Sequence, residues 1–234
     1  MPGYETKHQS VPIQGAADLE IRCLLDRQQY ADPLGVAARL GISSATWPLF
    51  GLLWPSGEEL AAHMALRTLV AGERILEVGC GLGLSSLVMH RRGADMTASD
   101  CHPLAGDFLA FNALLNGLGP LTYRHGEWAE KLLPPDGCAT APARDPVSGR
   151  YELIIGSDVL YDRDASAALA GFIQRHGAAR GEVCIVDPNR GNRATFNRSM
   201  ALQGYTLTEV RLDRVAGDTT AAYKGRLLRY RRGS

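Results

Sequence analysis

One segment constrains this chain more than any other. Ile75-Leu76-Glu77-Val78 reads as an apolar strand that runs straight into Gly79-Cys80-Gly81-Leu82-Gly83. Glycines let a backbone turn tightly and let a ligand come close. Residues 84–92 then continue at helical spacing, and a helix N-terminus offers free N–H groups. The alternation persists downstream. Strands are predicted over 74–78, 96–99, 121–124, 153–155 and 182–186, with helices over 84–92, 103–115, 164–176 and 193–202. Strand–helix alternation predicts a parallel sheet covered by helices. Two last strands, 206–213 and 222–230, have no full helix between them and predict a terminal antiparallel hairpin. Residues 134–149 read as loop.

Upstream of the glycine turn the pattern is weaker. Val11–Ile13 and Leu19–Leu25 read as short strands, and Pro33–Leu40 as a short helix. The aromatic segment Trp47–Pro55, punctuated by Pro, reads as a packed loop. It leads into a helix over 57–69 with Ser56 as its N-cap.

Bulk properties narrow the classes. The 234 residues suit one α/β domain with an extension. Lys+Arg and Asp+Glu stand at 25 each, so no overall basic field collects phosphate, which weighs against a nucleic-acid partner. Five scattered cysteines form no C-x-x-C pair and do not cluster with the histidines. No metal site is expected, and a reducing, cytoplasmic setting is. The N-terminus has no signal-peptide pattern and no apolar run approaches a membrane span. Arg231 and Arg232 read as a solvated end. No exposed apolar stripe stands out, so a monomer is expected.

A dinucleotide fingerprint needs G-x-G-x-x-G, and its third glycine would fall on Leu84. Glu77 is also out of place beside a pyrophosphate. A carboxylate there suits a ligand end that carries an ammonium, such as the methionine part of S-adenosylmethionine (SAM), reached through the loop or water. The next strand ends at Asp100, about 20 residues on, where an acid accepts ribose hydroxyls. An N-cap is the competing reading for Asp100. Cys101 follows it at the adenine edge, and His102 reads as a surface loop histidine. Glu127 and Trp128 come just after the third strand. Glu127 suits an exocyclic amine and Trp128 a stacked base, with core packing as the rival for Trp128.

These pieces resemble the seven-β-strand protein lysine methyltransferases that carry an Asp-x-x-Tyr motif. The matching residues are Leu53-Trp54-Pro55-Ser56-Gly57, the run Leu76 to Gly83, Asp100, Glu127-Trp128 and Gly156-Ser157-Asp158-Val159-Leu160-Tyr161. They span about residues 50 to 231. Asp187-Pro188-Asn189-Arg190 is similar to a stretch of the branch acting on the electron-transfer flavoprotein β subunit, with Asn189 where that branch has Gly. The resemblance implies a Rossmann-like, seven-stranded, mostly parallel sheet with helices on both faces. Residues 1–56, of which the first 46 carry no such match, are expected to form an N-terminal extension packed on a SAM-binding domain (57–234). The resemblance places Trp54, Glu77, Gly79, Cys80, Gly81, Gly83, Asp100, Cys101, Glu127, Trp128 and Ser157 at the cofactor, and Asp158 and Tyr161 at the reaction centre. A protein substrate follows from the same resemblance.

Methyl transfer from SAM is an in-line displacement that needs alignment and exclusion of water. A lysine amine must first lose a proton, since its free pKa is about 10.4. Asp158 is assigned to receive the ammonium and Tyr161 to help position the amine. The competing reading for Asp158 is a loop acid. Asp187 also ends a strand and is a candidate for substrate contact, while Arg190 reads as a surface salt bridge. Two other substrates stay open. A small-molecule acceptor is compatible with an N-terminal cap. An RNA acceptor is disfavoured because the segment Asp158-Val159-Leu160-Tyr161 lacks the prolines of the adenine-methylating tetrad.

Overall fold

A computed structural model of the chain describes residues 3–128, 145–161, 163–216 and 222–233. Most of the predicted 134–149 loop therefore lies outside the described residues. The elements in chain order are β1 (Thr6–Val11), β2 (Leu19–Leu24), α1 (Val36–Arg39), a 3-10 turn (Trp47–Gly51) and α2 (Pro55–Leu66). They continue with β3 (Arg74–Val78), α3 (Leu84–Arg91), β4 (Asp95–Asp100), α4 (Ala105–Leu115), β5 (Thr122–His125) and β6 (Tyr151–Ser157). The chain closes with α5 (Arg163–His176), β7 (Gly177–Asp187), α6 (Arg193–Leu202), β8 (Thr206–Arg214) and β9 (Tyr223–Arg232).

The main sheet has seven strands in the order β5-β4-β3-β6-β7-β9-β8. The first five are parallel, while β9 runs antiparallel to both β7 and β8. The central strands are near-continuous apolar runs because both faces are covered. Their side chains alternate between two layers. Leu76, Val78, Ile154 and Ile185 pack with Leu169, Phe172 and Ile173 of α5 and with Phe196 and Met200 of α6. Ile75, Leu153, Ile155 and Val186 pack with Leu60 and Met64 of α2 and Met89 of α3. Each such side chain contributes about 1.5–3 kcal/mol when fully buried. Leu76 is 0% exposed on β3, so truncating it to Ala costs about 2–5 kcal/mol.

β1 and β2 form a separate antiparallel hairpin. Val11, Leu19, Ile21 and Leu24 join a third cluster with Leu87, Phe108 and Leu109 of α3 and α4. Asn112 of α4 takes the N–H of Arg22 at 2.8 Å and Asn116 takes that of Glu20 at 3.0 Å. Side-chain amides of a helix thus satisfy donors on β2.

Three local expectations are corrected. Ser56 is not an N-cap: Trp54 holds that position, because Pro55 already fits the first helical turn. Ser56 lies inside α2, buried, with its Oγ 2.8 Å from the Tyr223 hydroxyl. β1 begins at Thr6, earlier than its apolar residues, because pairing with β2 rather than its own exposed side chains holds it. Arg231 and Arg232 are not a solvated end. They lie in β9, where Arg231 pairs with Glu182 at 3.4 Å. Arg232 donates to the carbonyls of Gly177 and Ala178 with its guanidinium over the Tyr205 ring. The pairing of β7 with β9 runs from Gly181↔Arg232 to Asp187↔Arg226 and draws that end into the sheet.

Candidate active site

The chain builds β3, β4 and β5 outward in one direction, then returns to lay β6 and β7 on the other side of β3. The carboxyl ends of β3 and β6 therefore flank the crevice where ligands bind in open α/β sheets. Gly79 follows one of these ends, and Ser157 and Asp158 stand at the other.

The glycine turn is shaped from three sides. The Cys80 N–H donates to the Ser99 carbonyl at 2.9 Å, and its own carbonyl accepts from Gly83 at 2.7 Å. Cys80 is itself buried, and burial pushes its thiol up, so it shapes the turn rather than offering a nucleophile. Gly81 has φ 51, and a Cβ there would stand 2.8 Å from the Phe50 carbonyl oxygen. No other residue type fits both that conformation and that distance. Gly83, also at positive φ, stands at the N-cap of α3.

Glu77 lies beneath this turn, 3% exposed. Its carboxylate accepts the backbone N–H of Ser86 at 2.9 Å and, through a very short contact, the Ser86 hydroxyl. Burial pushes its carboxyl up to about 7, against the pull of the two Ser86 donors, and the nearby charge of Asp100 adds to the rise. Glu77 thus ties the end of β3 to the first turn of α3.

Asp100 closes β4, 8% exposed. One oxygen accepts the Gly81 N–H at 2.9 Å and the other the His102 N–H at 2.8 Å. Burial raises its carboxyl, and backbone donors, His102 and Gly81 foremost, oppose that. It is not an N-cap, since α4 starts at Ala105 behind Leu104. Cys101 adds a backbone and a side-chain donor to the same carboxylate, so the loop after β4 wraps Asp100.

His102, two residues after Asp100, differs from expectation. Cys101 is exposed, but His102 is no surface histidine: it is 4% exposed. Its ring stacks on Phe50 with centroids 3.7 Å apart and meets Trp47 edge-on at 5.3 Å. The aromatic segment about 50 residues upstream folds over this loop, a contact with no local signature.

On the far side, the Gly126 N–H donates to the Asp100 carbonyl at 3.0 Å, which brings Glu127 and Trp128 to the same crevice. Glu127 is half-buried. The Trp128 ring lies 3.5 Å from where a Cβ on Gly79 would stand, and its buried indole N–H has no partner among the described residues. Trp54 is farther out, its indole N–H donating to the Leu49 carbonyl at 2.9 Å with the Arg27 guanidinium over its ring.

Asp158 leaves β6 with φ 58, its N–H tied to the Val186 carbonyl at 3.0 Å. Val159 and Leu160 are 3% and 0% exposed and anchor the turn, while Tyr161 stands 56% exposed beyond them. A Cβ on Gly79 would lie 3.0 Å from Val159, so this anchor forms a wall of the glycine turn. Ser157 is half-buried, and its hydroxyl faces the first turn of α2 at Gly57.

Arg190 does form a salt bridge, but at this centre: it pairs with Asp158 at 2.7 Å. Asp187 is 0% exposed. One of its oxygens accepts the Arg190 N–H at 2.9 Å; the other has no partner among the described residues. Burial raises its carboxyl. The full burial places Asp187 behind the surface, as a brace for the turn rather than a contact for substrate. Ser86, Phe50, Tyr223 and the Asp158–Arg190 pair were not legible as site residues. The Asp-Pro-Asn-Arg run, a turn signal after an apolar strand, was the one local hint.

The family model described as lysine methyltransferase matches residues 50–200. The electron transfer flavoprotein beta subunit lysine methyltransferase of Xenopus laevis is 30% identical over 146 residues, covering 61% of this chain and 53% of that protein. The Mus musculus protein of the same name is 27% identical over 181 residues, covering 75% and 65%. The chain thus spans between half and two thirds of the length of these relatives. Among solved structures, the magnesium protoporphyrin IX methyltransferase of Synechocystis with bound SAM superposes with a TM-score of 0.55 at 18% identity, covering 76% of this chain and 78% of that one. At that identity the likeness concerns the fold. Among the described residues no helix is long and apolar enough to cross a membrane, and no His/Cys/Asp/Glu group suits a metal.

Proposed function

This chain belongs to the lysine methyltransferase family, and from that premise we propose that it transfers a methyl group from SAM to a lysine side chain of a protein. One observation carries the reading most. Val159, next to Asp158, forms a wall of the glycine turn at Gly79. An acid fit to receive an amine therefore adjoins a cradle fit for the cofactor.

The residues present fit SAM. Asp100 fastens the glycine turn at Gly81, and the Trp128 ring lies beside Gly79 with a buried indole N–H that has no partner among the described residues. SAM, when bound, supplies a methyl group made electrophilic by its sulfonium. Gly79, Cys80, Gly81 and Gly83 form the cradle. Asp100 accepts the ribose hydroxyls, with Cys101, Glu127 and Trp128 around the base. Trp54 and Ser157 close the methionine side, and Glu77 holds the loop through Ser86. Asp158 receives and orients the lysine nitrogen, and Tyr161, exposed at the rim, helps place it. The N-terminal extension (1–56) packs its hairpin on α4 and its aromatic turn on the cofactor loop.

The electron transfer flavoprotein β subunit is the acceptor named by the relatives, and we adopt it as the substrate. Among the described residues Cys23, Cys80, Cys101 and Cys184 form no disulfide, which fits a reducing compartment. The test is direct: purified chain, isotope-labelled SAM and recombinant β subunit, with the modified residue found by mass spectrometry. Label on a lysine supports the assignment. With a cell extract as acceptor, label confined to RNase-sensitive or small-molecule fractions overturns it.

A further inference from the structure

We propose that Arg190 is a positioning residue that sets the charge met by the substrate amine: by occupying one oxygen of Asp158 it favours the uncharged, nucleophilic form of that amine. The inference rests on the lysine-methylating reading above.

The chemistry poses a conflict. A bare carboxylate beside a lysine holds the ammonium, because an opposite charge favours the charged form. That aids binding and hinders attack. The Arg190 guanidinium answers it. Its Nη2 and Nε both donate to Oδ1 of Asp158, at 2.7 and 3.2 Å. Oδ2 takes no hydrogen bond among the described residues, and the Asp158 side chain is 14% exposed, so an acceptor remains for the incoming nitrogen. The amine meets a hydrogen-bond acceptor within a neutral ion pair rather than an isolated anion. The proton it sheds goes to water, and Arg190 exchanges none.

The placement is built, not incidental. Asp158 (φ 58) and Asn189 (φ 63) are the two non-glycine residues at positive φ among the described residues, and they stand at adjacent strand ends. Such backbone persists where surrounding contacts enforce it. The buried Asp187 supplies that contact by accepting the Arg190 N–H at 2.9 Å. The buried Asp187 carboxylate is the second acid at the pair: it interacts with the charges of Asp158 and Arg190, and Arg193 offsets it. Arg193 of α6 bonds the Asn189 side chain, as does Arg226 of β9. Glu59 of α2 is held by Arg214 at 2.7 Å, and Tyr223 of β9 by Ser56. Arg190 is thus the guanidinium that faces Asp158.

The test measures kcat and KM against pH for the full chain and Arg190→Gln and Arg190→Lys variants, with the flavoprotein β subunit as acceptor. For Arg190→Gln the pH at which kcat rises moves up by about one unit, so turnover near neutrality falls about tenfold. It recovers in alkali, and KM does not rise. Arg190→Lys keeps the wild-type profile. An acceptor carrying S-aminoethylcysteine, whose amine is a weaker base than lysine, restores the Gln variant near neutrality. A fall by one factor at every pH, or no change, overturns the proposal. The wild-type chain gives an independent readout: its kcat must rise at a pH below the free lysine value of about 10.4, and a rise at or above it overturns the proposal too. A wild-type chain that methylates no lysine of any acceptor overturns the lysine reading, and this inference with it.

Discussion

The N–H of Gly81 donates to Asp100 Oδ2 at 2.9 Å, so the acid that ends β4 also fastens the glycine turn that ends β3. One carboxylate shapes the turn and, in the proposed role, accepts the ribose hydroxyls. Asp100→Ala removes both. Hydrogen bonds to charged groups are each worth about 1.5–3 kcal/mol. Titration calorimetry should show SAM binding weakened by about thirtyfold or more. Asp100→Asn keeps one acceptor oxygen and loses less.

Gly81 and Gly117 make a controlled pair, with φ 51 and 65. Alanine at either takes a left-handed conformation, costing about 1–2 kcal/mol. Only at Gly81 does the new Cβ strike a backbone atom, the Phe50 oxygen at 2.8 Å; Gly117 faces open space. Urea unfolding should therefore rank Gly81→Ala below Gly117→Ala, by about 1–3 kcal/mol. Equal midpoints contradict the close approach of Phe50.

Glu77 gives a pH signature. Its carboxyl rises from 4.5 in a free chain to about 7 in the fold. The folded state holds the proton more tightly, so this contribution is full below 4.5 and is lost as pH rises through 7. Glu77→Gln keeps an oxygen for both Ser86 donors and carries no proton to lose. In the cofactor-free chain the variant should gain on wild type as pH rises across that window, by an amount on the order of 3 kcal/mol. Thermal unfolding at the two ends of the window measures it, and a constant difference removes the assignment. SAM binding should weaken in the same variant, since the ammonium end loses a nearby charge.

Ser56 and Tyr223 lie 167 residues apart and share a buried hydrogen bond. Burial pushes the Tyr223 phenol up to about 12, so it stays neutral over the working range. Ser56→Ala and Tyr223→Phe should each cost about 1–2 kcal/mol. The double variant should cost less than their sum, because each single change strands a buried partner. Strict additivity in denaturant unfolding removes the pair as a link between α2 and β9.

What the sequence discloses follows the range of the interactions. The strand, glycine turn and helix around Gly79 are local, and so is the absence of a helix between β8 and β9. Each was readable from periodicity and turn residues. Parallel strands such as β6 read clearly at their apolar centre, Leu153–Ile155, and poorly at their ends. β7 is longer than its apolar run because Gly177 and Gly181 find partners in Tyr151 and Arg232. The missed features are long-range. His102 is buried by Phe50, Arg190 reaches Asp158 across 32 residues, and β1 is held by pairing while its side chains from Thr6 to Ser10 are exposed. No periodicity marks such contacts in advance.

In the proposed mechanism the Asp158 carboxylate receives the methyl acceptor while the glycine turn holds the cofactor. Its most direct test is the rate of methyl incorporation into the flavoprotein β subunit by wild type and Asp158→Asn, with the SAM dissociation constant measured on the same samples. Turnover should fall about a hundredfold or more, from a misplaced amine, with SAM affinity nearly unchanged. Wild-type turnover in the Asp158→Asn chain contradicts the mechanism.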